Sequence, residues 1–500
     1  MTSDALAPSP PTPHPQFAAR MLAAFPPEVQ VSPETVANAD SGRILIVLDD
    51  DPTGTQSVAD LPVLTQWQPQ DFRWAFDLRV PAIYVLTNTR GLSAHEAAER
   101  NKQVVTNAME AAKGTPLVFV SRADSTLRGH FPLETDVIAR TSQQLNAVEV
   151  DGIVIVLAFP EAGRVTINGV HYMRSLNDEL TPVADTEFAR DATFGFSHSR
   201  LADYIEEKSA GRVPASSVIE INLAIVRTGS HAIADALDAA TEGAHVAVDA
   251  VTENDLRMLA LGLAESERRG KNFVYRAGPP FVRARIGQAV RAPLTRAEVF
   301  GKVKVVHGGG LIVVGSHVST TTRQLSHLKK HHASALTVEL NVEKLLAAES
   351  SAEESGYLDS VVDQIVSVLA TSDVILHTSR TVVKTSDPTR SLEIARTVST
   401  AVVAVVQRIL ARARPRFVIA KGGITSSDVA THGLAIRHAL VRGPLLPGIV
   451  SVWEPVGGPA MGIPYVVFAG NVGDDSSLLK AVRTLSAFAL EDTNAKILRA

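Results

Sequence analysis

The chain has 500 residues, 45% of them hydrophobic and 20% charged, with a formal net charge of −5 and no cysteine. That length exceeds what a single hydrophobic core usually fills, so two domains are expected, and the balance excludes a disordered or fibrous chain. The missing cysteine excludes disulfides, thiolate metal sites and cysteine nucleophiles and suits a reducing cytoplasm, while the lack of a Lys and Arg excess gives no support to a nucleic-acid or membrane partner and leaves a small molecule.

Residues 1–40 carry a proline-rich run at 7–13 and no apolar segment of signal-peptide form, and they read as a flexible tail. From 41 to 290, β-branched runs at 43–48, 82–87, 117–121 and 153–157 each end in a polar loop, and most precede helix-like segments such as 95–112. Alternation of this kind predicts βαβ units around a parallel sheet. The breakers in 276–281 and the triplet Gly308, Gly309 and Gly310 place a boundary between about 285 and 306. A second domain over 300–490 repeats the pattern at 311–314, 335–340, 374–376, 417–420 and 465–468. The apolar stretch 400–410 is interrupted by Gln407 and Arg408 and reads as a buried helix too short to span a bilayer. The expected fold class is α/β, with two domains that are each a mostly parallel sheet flanked by helices. The active site is expected in the interdomain cleft, because ligands bind outside the carboxyl ends of parallel strands.

The loops after the strands carry the chemistry. Asp49, Asp50 and Asp51 directly follow a strand, and three adjacent carboxylates repel one another. A bound cation, sugar hydroxyls or proton transfer would offset the repulsion; the alternative is a turn in which one aspartate caps the next helix and the others face water. The segment Ser121–His130 gathers Asp124, Ser125, Arg128, Gly129 and His130 after another strand. Arg128 suits two-pronged capture of a substrate carboxylate and Arg90 is a second candidate anion ligand, with an Asp124 cap and a surface arginine as the alternative. In the second domain Gly315-Ser316, the run Lys421, Gly422, Gly423, Ile424, Thr425, and the loop from Gly470 to Gly473 offer backbone N–H groups suited to phosphates, against the alternative of ordinary turns. No Walker A or dinucleotide fingerprint is present, and His307-Gly308-Gly309-Gly310 lacks the nucleophile elbow of a hydrolase. His327 and His331, four apart beside Lys329 and Lys330, read as a solvated basic face.

Taken together, Asp50-Asp51-Pro52-Thr53-Gly54, Asp124 to Gly129, Phe159 to Arg164 with Asn168-Gly169, Gly315-Ser316, Lys421 to Thr425 and Gly470 to Gly473 resemble the four-carbon acid sugar kinase family over nearly the whole chain. The resemblance implies ATP-dependent phosphorylation of a terminal hydroxyl of D-threonate, D-erythronate or an oxo-tetronate, with Mg²⁺ bridging the phosphates. It further implies ATP contacts at Ser316, Gly422 through Thr425 and the Gly470 loop with Gly473; for the transfer itself we expect substrate contacts at Arg90, Ser125, Arg128, Gly129 and His130, and proton handling by Asp50, Asp51 or Asp124. The metal ligands and the oligomeric state stay open, including a homo-oligomer. Asp49, Pro52 and His130 depart from the commonest family pattern, which admits a branched or longer oxo-acid. A non-catalytic ligand-binding protein on the same fold is the alternative.

Overall fold

The computed structural model describes residues 16–39, 42–146, 148–175, 178–301, 307–380 and 388–488. The chain divides into two compact units, the first built from segments of 1–41, 124–139 and 148–287, the second from 42–123, 140–147 and 288–500. In chain order the strands begin with β1 (Ile44–Asp49), β2 (Leu61–Leu64), β3 (Ala82–Leu86) and β4 (Leu117–Arg122). Next come β5 (Gly152–Val156), β6 (Arg164–Ile167), β7 (Val170–Arg174), β8 (Leu180–Pro182), β9 (Ile219–Ile221), β10 (Ala244–Val248) and β11 (Phe273–Ala277). The last are β12 (Leu311–Val314), β13 (Leu336–Leu340), β14 (Val374–Thr378), β15 (Val418–Lys421), β16 (His438–Leu446), β17 (Val450–Pro455) and β18 (Tyr465–Phe468).

In the second unit the strands follow the order β13-β14-β12-β15-β18-β17-β16-β2-β3-β1-β4. They run parallel except where β17 pairs with β16 and β18, and β16 with β2. Strands buried on both faces read as unbroken apolar runs: Leu45 to Leu48, Leu311 to Val314 and Val418 to Ala420 are all buried. Helices cover them. The helix Ala94–Ala112 starts at a capping box, Ser93 and Glu96 each bonding the other's backbone N–H, and buries Ala97, Val104, Val105 and Ala108.

The first unit holds the parallel order β11-β5-β10-β9 and an antiparallel ribbon β6-β7-β8. Val165, Ile167, Tyr172 and Leu180 of the ribbon form a core with Leu223 and Val251, against which Met21, Leu22 and Phe25 pack. The expected flexible tail therefore needs correction: its described part forms the helices Gln16–Ala23 and Pro33–Asn38, the second capped by Ser32. The proline-rich run 7–13 lies outside the described residues.

An α/β fold of mostly parallel sheets with flanking helices is what the sequence predicts. The compact units, however, interleave along the chain, because β2 pairs in antiparallel register with β16, Leu61 opposite Val441 and Leu64 opposite His438. One helix among the described residues, Glu393–Arg412, is long and apolar enough to cross a membrane by length and composition, so the apolar stretch is longer than its interruption at Gln407 suggests. Within it Ala401, Val402, Val405, Val406 and Ile409 are buried, and it packs on the helix Ser351–Leu369.

Candidate active site

The acidic loop leaves β1 and turns into a short 3₁₀ segment, Pro52–Ser57. Asp51 caps that turn: its Oδ1 accepts from the Thr53 amide at 2.9 Å and the Thr53 hydroxyl at 2.6 Å. Pro52 fits at the first turn position because its missing N–H would have no partner there. The strain of three carboxylates is met by two guanidinium groups. Arg122, opposite Asp49 on the adjacent parallel strand, is buried with it and bonds its carboxylate, and it also lies 3.3 Å from Asp50. Arg90 grips Asp50 through two bonds, Nε to Oδ2 at 3.1 Å and Nη2 to Oδ1 at 2.7 Å, and lies 3.6 Å from Asp51 Oδ2.

A methyl group on Gly54 would fall 2.3 Å from both Arg122 Nε and Asp49 Oδ1, so only glycine lets the loop close over this pair. Burial pushes the Asp49 carboxyl up to about 7 against the pull of Arg122, with Asp50 and Asp51 adding repulsion. On Asp51 burial acts in the same direction, but Arg90, Arg122 and the Thr53 bonds outweigh it and hold the carboxyl below its ordinary range.

The loop is anchored away from β1 as well. Thr55 Oγ1 lies 2.9 Å from Ser451 Oγ and accepts from Trp453 Nε1 at 2.9 Å, both on β17. Asp51 Oδ2 sits where a Gly423 methyl would come within 2.6 Å of it, which sets this carboxylate against the glycine loop of β15.

That loop and its neighbours converge. The Gly315 and Ser316 amides both donate to the Lys421 carbonyl at 3.3 Å, and the Gly422 amide donates to Phe468 O at 2.8 Å. Side chains could not be accommodated: a methyl on Gly315 would meet Thr425 Oγ1 at 2.2 Å, and one on Gly470 would meet Ser316 Oγ at 2.6 Å. Gly422 adopts φ 130°, a backbone setting that favours glycine. Ser316, Gly422 to Thr425 and Gly470 thus share one place, with Val318 and Ile424 exposing apolar surface beside them. Gly473 stands apart, packed toward Ser477 and Gln324. Two side chains join this cluster: Arg380, which the sequence pattern did not single out, and Lys421, which it named only as the start of a loop of backbone N–H groups. Arg380 bonds Ser316 O at 2.7 Å, and the Lys421 side chain is fully buried beneath the loops.

The Asp124 loop lies in the first unit. Asp124 accepts from the Thr126 hydroxyl at 2.5 Å and from Arg128 Nε at 2.6 Å, so it does cap its own turn. Leu127 at φ 68° and Gly129 at φ 114° fold the segment back. Arg128 lies 3.5 Å from Asp191 and its guanidinium is 4.9 Å from the centre of the Phe188 ring. His130 meets the Phe194 ring edge-on at 4.9 Å.

Ser125 is fixed through its carbonyl, which accepts from His171 Nε2 at 2.8 Å. Burial drives His171 down to about 4, so its neutral ring carries the proton on Nε2 and Nδ1 accepts from Thr166. Arg276, fully buried, bonds the Arg128 carbonyl and stacks on Phe131, and Arg164 interacts with Asp124 and Arg128. Three guanidinium groups around one loop make this corner attractive to a small anion.

Among the described residues no group of three or more His, Asp or Glu side chains could hold a metal ion, and the His327 and His331 rings, both half-buried, lie 4.2 Å apart and tilted by 32°.

The two sets of loops fall within two known domain types. Residues 45–285 match the model of a sugar-binding N-terminal domain, and residues 311–478 that of a nucleotide-binding C-terminal domain. The chain is 31% identical over 280 residues to D-erythronate kinase of Heliobacterium modesticaldum and 29% identical over 304 residues to D-threonate kinase of Salmonella typhimurium. These stretches cover 55% and 60% of the chain, and 56% and 63% of the two relatives' own lengths. Among solved structures, a Salmonella typhimurium protein provisionally named a tRNA synthase superposes at TM-score 0.62 and 19% identity, over 88% of this chain and 99% of that one. A Haemophilus influenzae protein of a family of unknown function superposes at TM-score 0.57 and 18% identity, over 87% and 98%. The two domain models in this order identify the chain as a member of the four-carbon acid sugar kinase family.

Proposed function

We propose that the protein transfers the γ-phosphoryl group of ATP to a terminal hydroxyl of a four-carbon sugar acid, such as D-threonate or D-erythronate, or of a related branched or oxo acid. The observation that carries this reading is the approach of Asp51 Oδ2 to Gly423, which sets a carboxylate from the sugar-binding sequence beside the glycine loop suited to phosphates. Ser316, Gly422 to Thr425 and Gly470 would hold the nucleotide. Mg²⁺ would arrive on the ATP phosphates and neutralise their charge, a manner of binding that asks little of protein ligands. The cysteine-free chain and its need for ATP fit a cytoplasmic enzyme.

Of the three candidate bases, Asp50 has both oxygens engaged by Arg90, and Asp124 is spent on Thr126 and Arg128. Among the described residues Asp51 keeps Oδ2 free of hydrogen bonds at the nucleotide loop, with Arg90 3.6 Å away. In the proposed step the acceptor oxygen attacks the γ-phosphorus, the bond to the β-phosphate bridge oxygen breaks, and the acceptor proton passes to Asp51. Arg128 would hold the substrate carboxylate, with Ser125, Gly129 and His130 shaping its pocket, and Arg90 would keep Asp50 in place. Positioning and charge stabilisation supply most of the rate in such a transfer.

The test is ADP release across a panel of tetronates and oxo-acids with the single variants Asp50→Asn, Asp51→Asn and Asp124→Asn. Asp51→Asn should lower kcat about 10²- to 10⁴-fold, the usual contribution of a positioned base, with ADP binding retained. Wild-type turnover in Asp51→Asn would remove Asp51 from the step, and a silent wild-type panel despite ligand binding would overturn the kinase reading.

A further inference from the structure

The loops assigned to the nucleotide enclose a cation whose presence they do not explain. Lys421 ends β15, its side chain is fully buried, and among the described residues it pairs with no carboxylate. Its Nζ donates to the Ala469 carbonyl at 2.5 Å and lies 3.9 Å from the centre of the Phe468 ring. Its own carbonyl takes the Gly315 and Ser316 amides. One residue therefore ties the Ser316 loop by its backbone and the residue preceding Gly470 by its side chain, while Gly422 and Gly423 follow it directly. An ammonium without a counter-ion is costly to bury. A neutral amine can still donate the bond to Ala469, so the site tolerates either state.

We infer that Lys421 is a positioning residue whose missing counter-ion is the nucleotide's phosphate group, so that binding of the nucleotide draws a proton onto its amine. The inference rests on the assignment of these loops to ATP. Burial alone moves Lys421, lowering it from 10.5 to about 7. The titratable and charged groups on the flanking elements are Asp51 against Gly423, Asp428 at the end of the helix Gly423–Asp428, His317 after β12, Arg380 on Ser316 O, His377 on β14, which burial drives down, and Tyr465 on β18, whose hydroxyl bonds Ser426 O. His317 is driven down by burial and Tyr465 well up, so neither changes charge near pH 8. A polyanion beside the buried amine favours its charged form, and linkage then requires proton uptake on binding.

Calorimetric titration of the full chain with ADP at pH 8, in two buffers of different ionisation enthalpy, reads that uptake directly. At this pH the terminal phosphate of ADP is already ionised, with its second pKa near 6, and contributes little. A tenfold rise in the amine's proton affinity on binding gives about 0.4 of a proton taken up per ADP at pH 8, and a larger rise up to about 0.9. The wild-type Kd should weaken as pH rises above 7, approaching tenfold for each pH unit, until the bound-state pKa is passed.

Lys421→Met should bind ADP more weakly and take up no proton, and Lys421→Arg, permanently charged, should bind with no uptake. Wild-type binding without uptake, or uptake that persists in both variants, overturns the inference and leaves the nucleotide assignment standing. A wild-type chain that binds no ADP overturns the assignment and the inference with it. If Lys421→Met does not fold, the Lys421→Arg titration and the wild-type pH profile still decide.

Discussion

Replacing Lys421 by methionine should make the free protein more stable near neutral pH, and the gain should vanish in alkali. The amine titrates at about 7 in the fold and near 10.5 in the unfolded chain. Each tenfold loss of proton affinity corresponds to about 1.36 kcal/mol, so a charged Lys421 costs the fold at most about 5 kcal/mol at or below pH 7. Water penetration and local relaxation reduce that, and a measured difference of about 2–4 kcal/mol is expected, partly offset by loss of the bond to Ala469. The sign follows from proton counts. Between pH 7 and 10.5 the unfolded chain binds the proton and the fold does not, so wild-type stability rises with pH through this window. Methionine removes the slope while keeping an unbranched side chain of similar reach. The assay is urea unfolding followed by tryptophan fluorescence at pH 7 and pH 10.5; Trp67, Trp74 and Trp453 all belong to the second unit. Subtracting variant from wild-type profiles cancels the other groups that titrate. A variant destabilised equally at both pH values would refute the reasoning, because it would mean that Lys421 contributes packing and no buried charge.

Gly423→Ala should lower kcat at least tenfold in the coupled ADP assay with little change in melting temperature, since its methyl would strike Asp51 Oδ2 while the backbone there suits alanine. Gly54→Ala should destabilise by about 3–5 kcal/mol in urea titration, because the methyl cannot enter without breaking the buried Asp49–Arg122 pair. Glu267→Ala should cost a similar amount by the same measurement: Glu267 is buried against Arg285 at 2.7 Å and accepts from Tyr275, and its loss strands a buried guanidinium.

The strands were legible because parallel sheets bury both faces and leave unbroken apolar runs, as in Leu311 to Val314. The glycine loops were legible because Gly315 and Gly470 sit where a methyl has no room and Gly422 holds a φ of 130°, so they stand out directly after those runs. The acidic loop was legible as strain, and its resolution was not. Arg122 faces Asp49 only through the register of β1 and β4, which lies 73 residues away in the chain. Lys421 reads in sequence as one more basic residue in a glycine loop, and its burial beneath Phe468 and Ala469 depends on β18 packing beside β15. The helices Gln16–Ala23 and Pro33–Asn38 escape the sequence pattern because both are short, and the first coheres through Met21 and Leu22 packed on the core around Leu223 and Val251.

The pairing of β2 with β16 has a consequence during synthesis. The ribosome completes β2 some 370 residues before its partner emerges, and at 5–20 residues per second that is a wait of some tens of seconds. Throughout it, the nascent chain carries Leu61 to Leu64 as an unpaired apolar edge, the feature that invites association between neighbouring chains. Yield in a host short of chaperones should therefore respond to changes in this edge strand before any change in the finished protein is detectable.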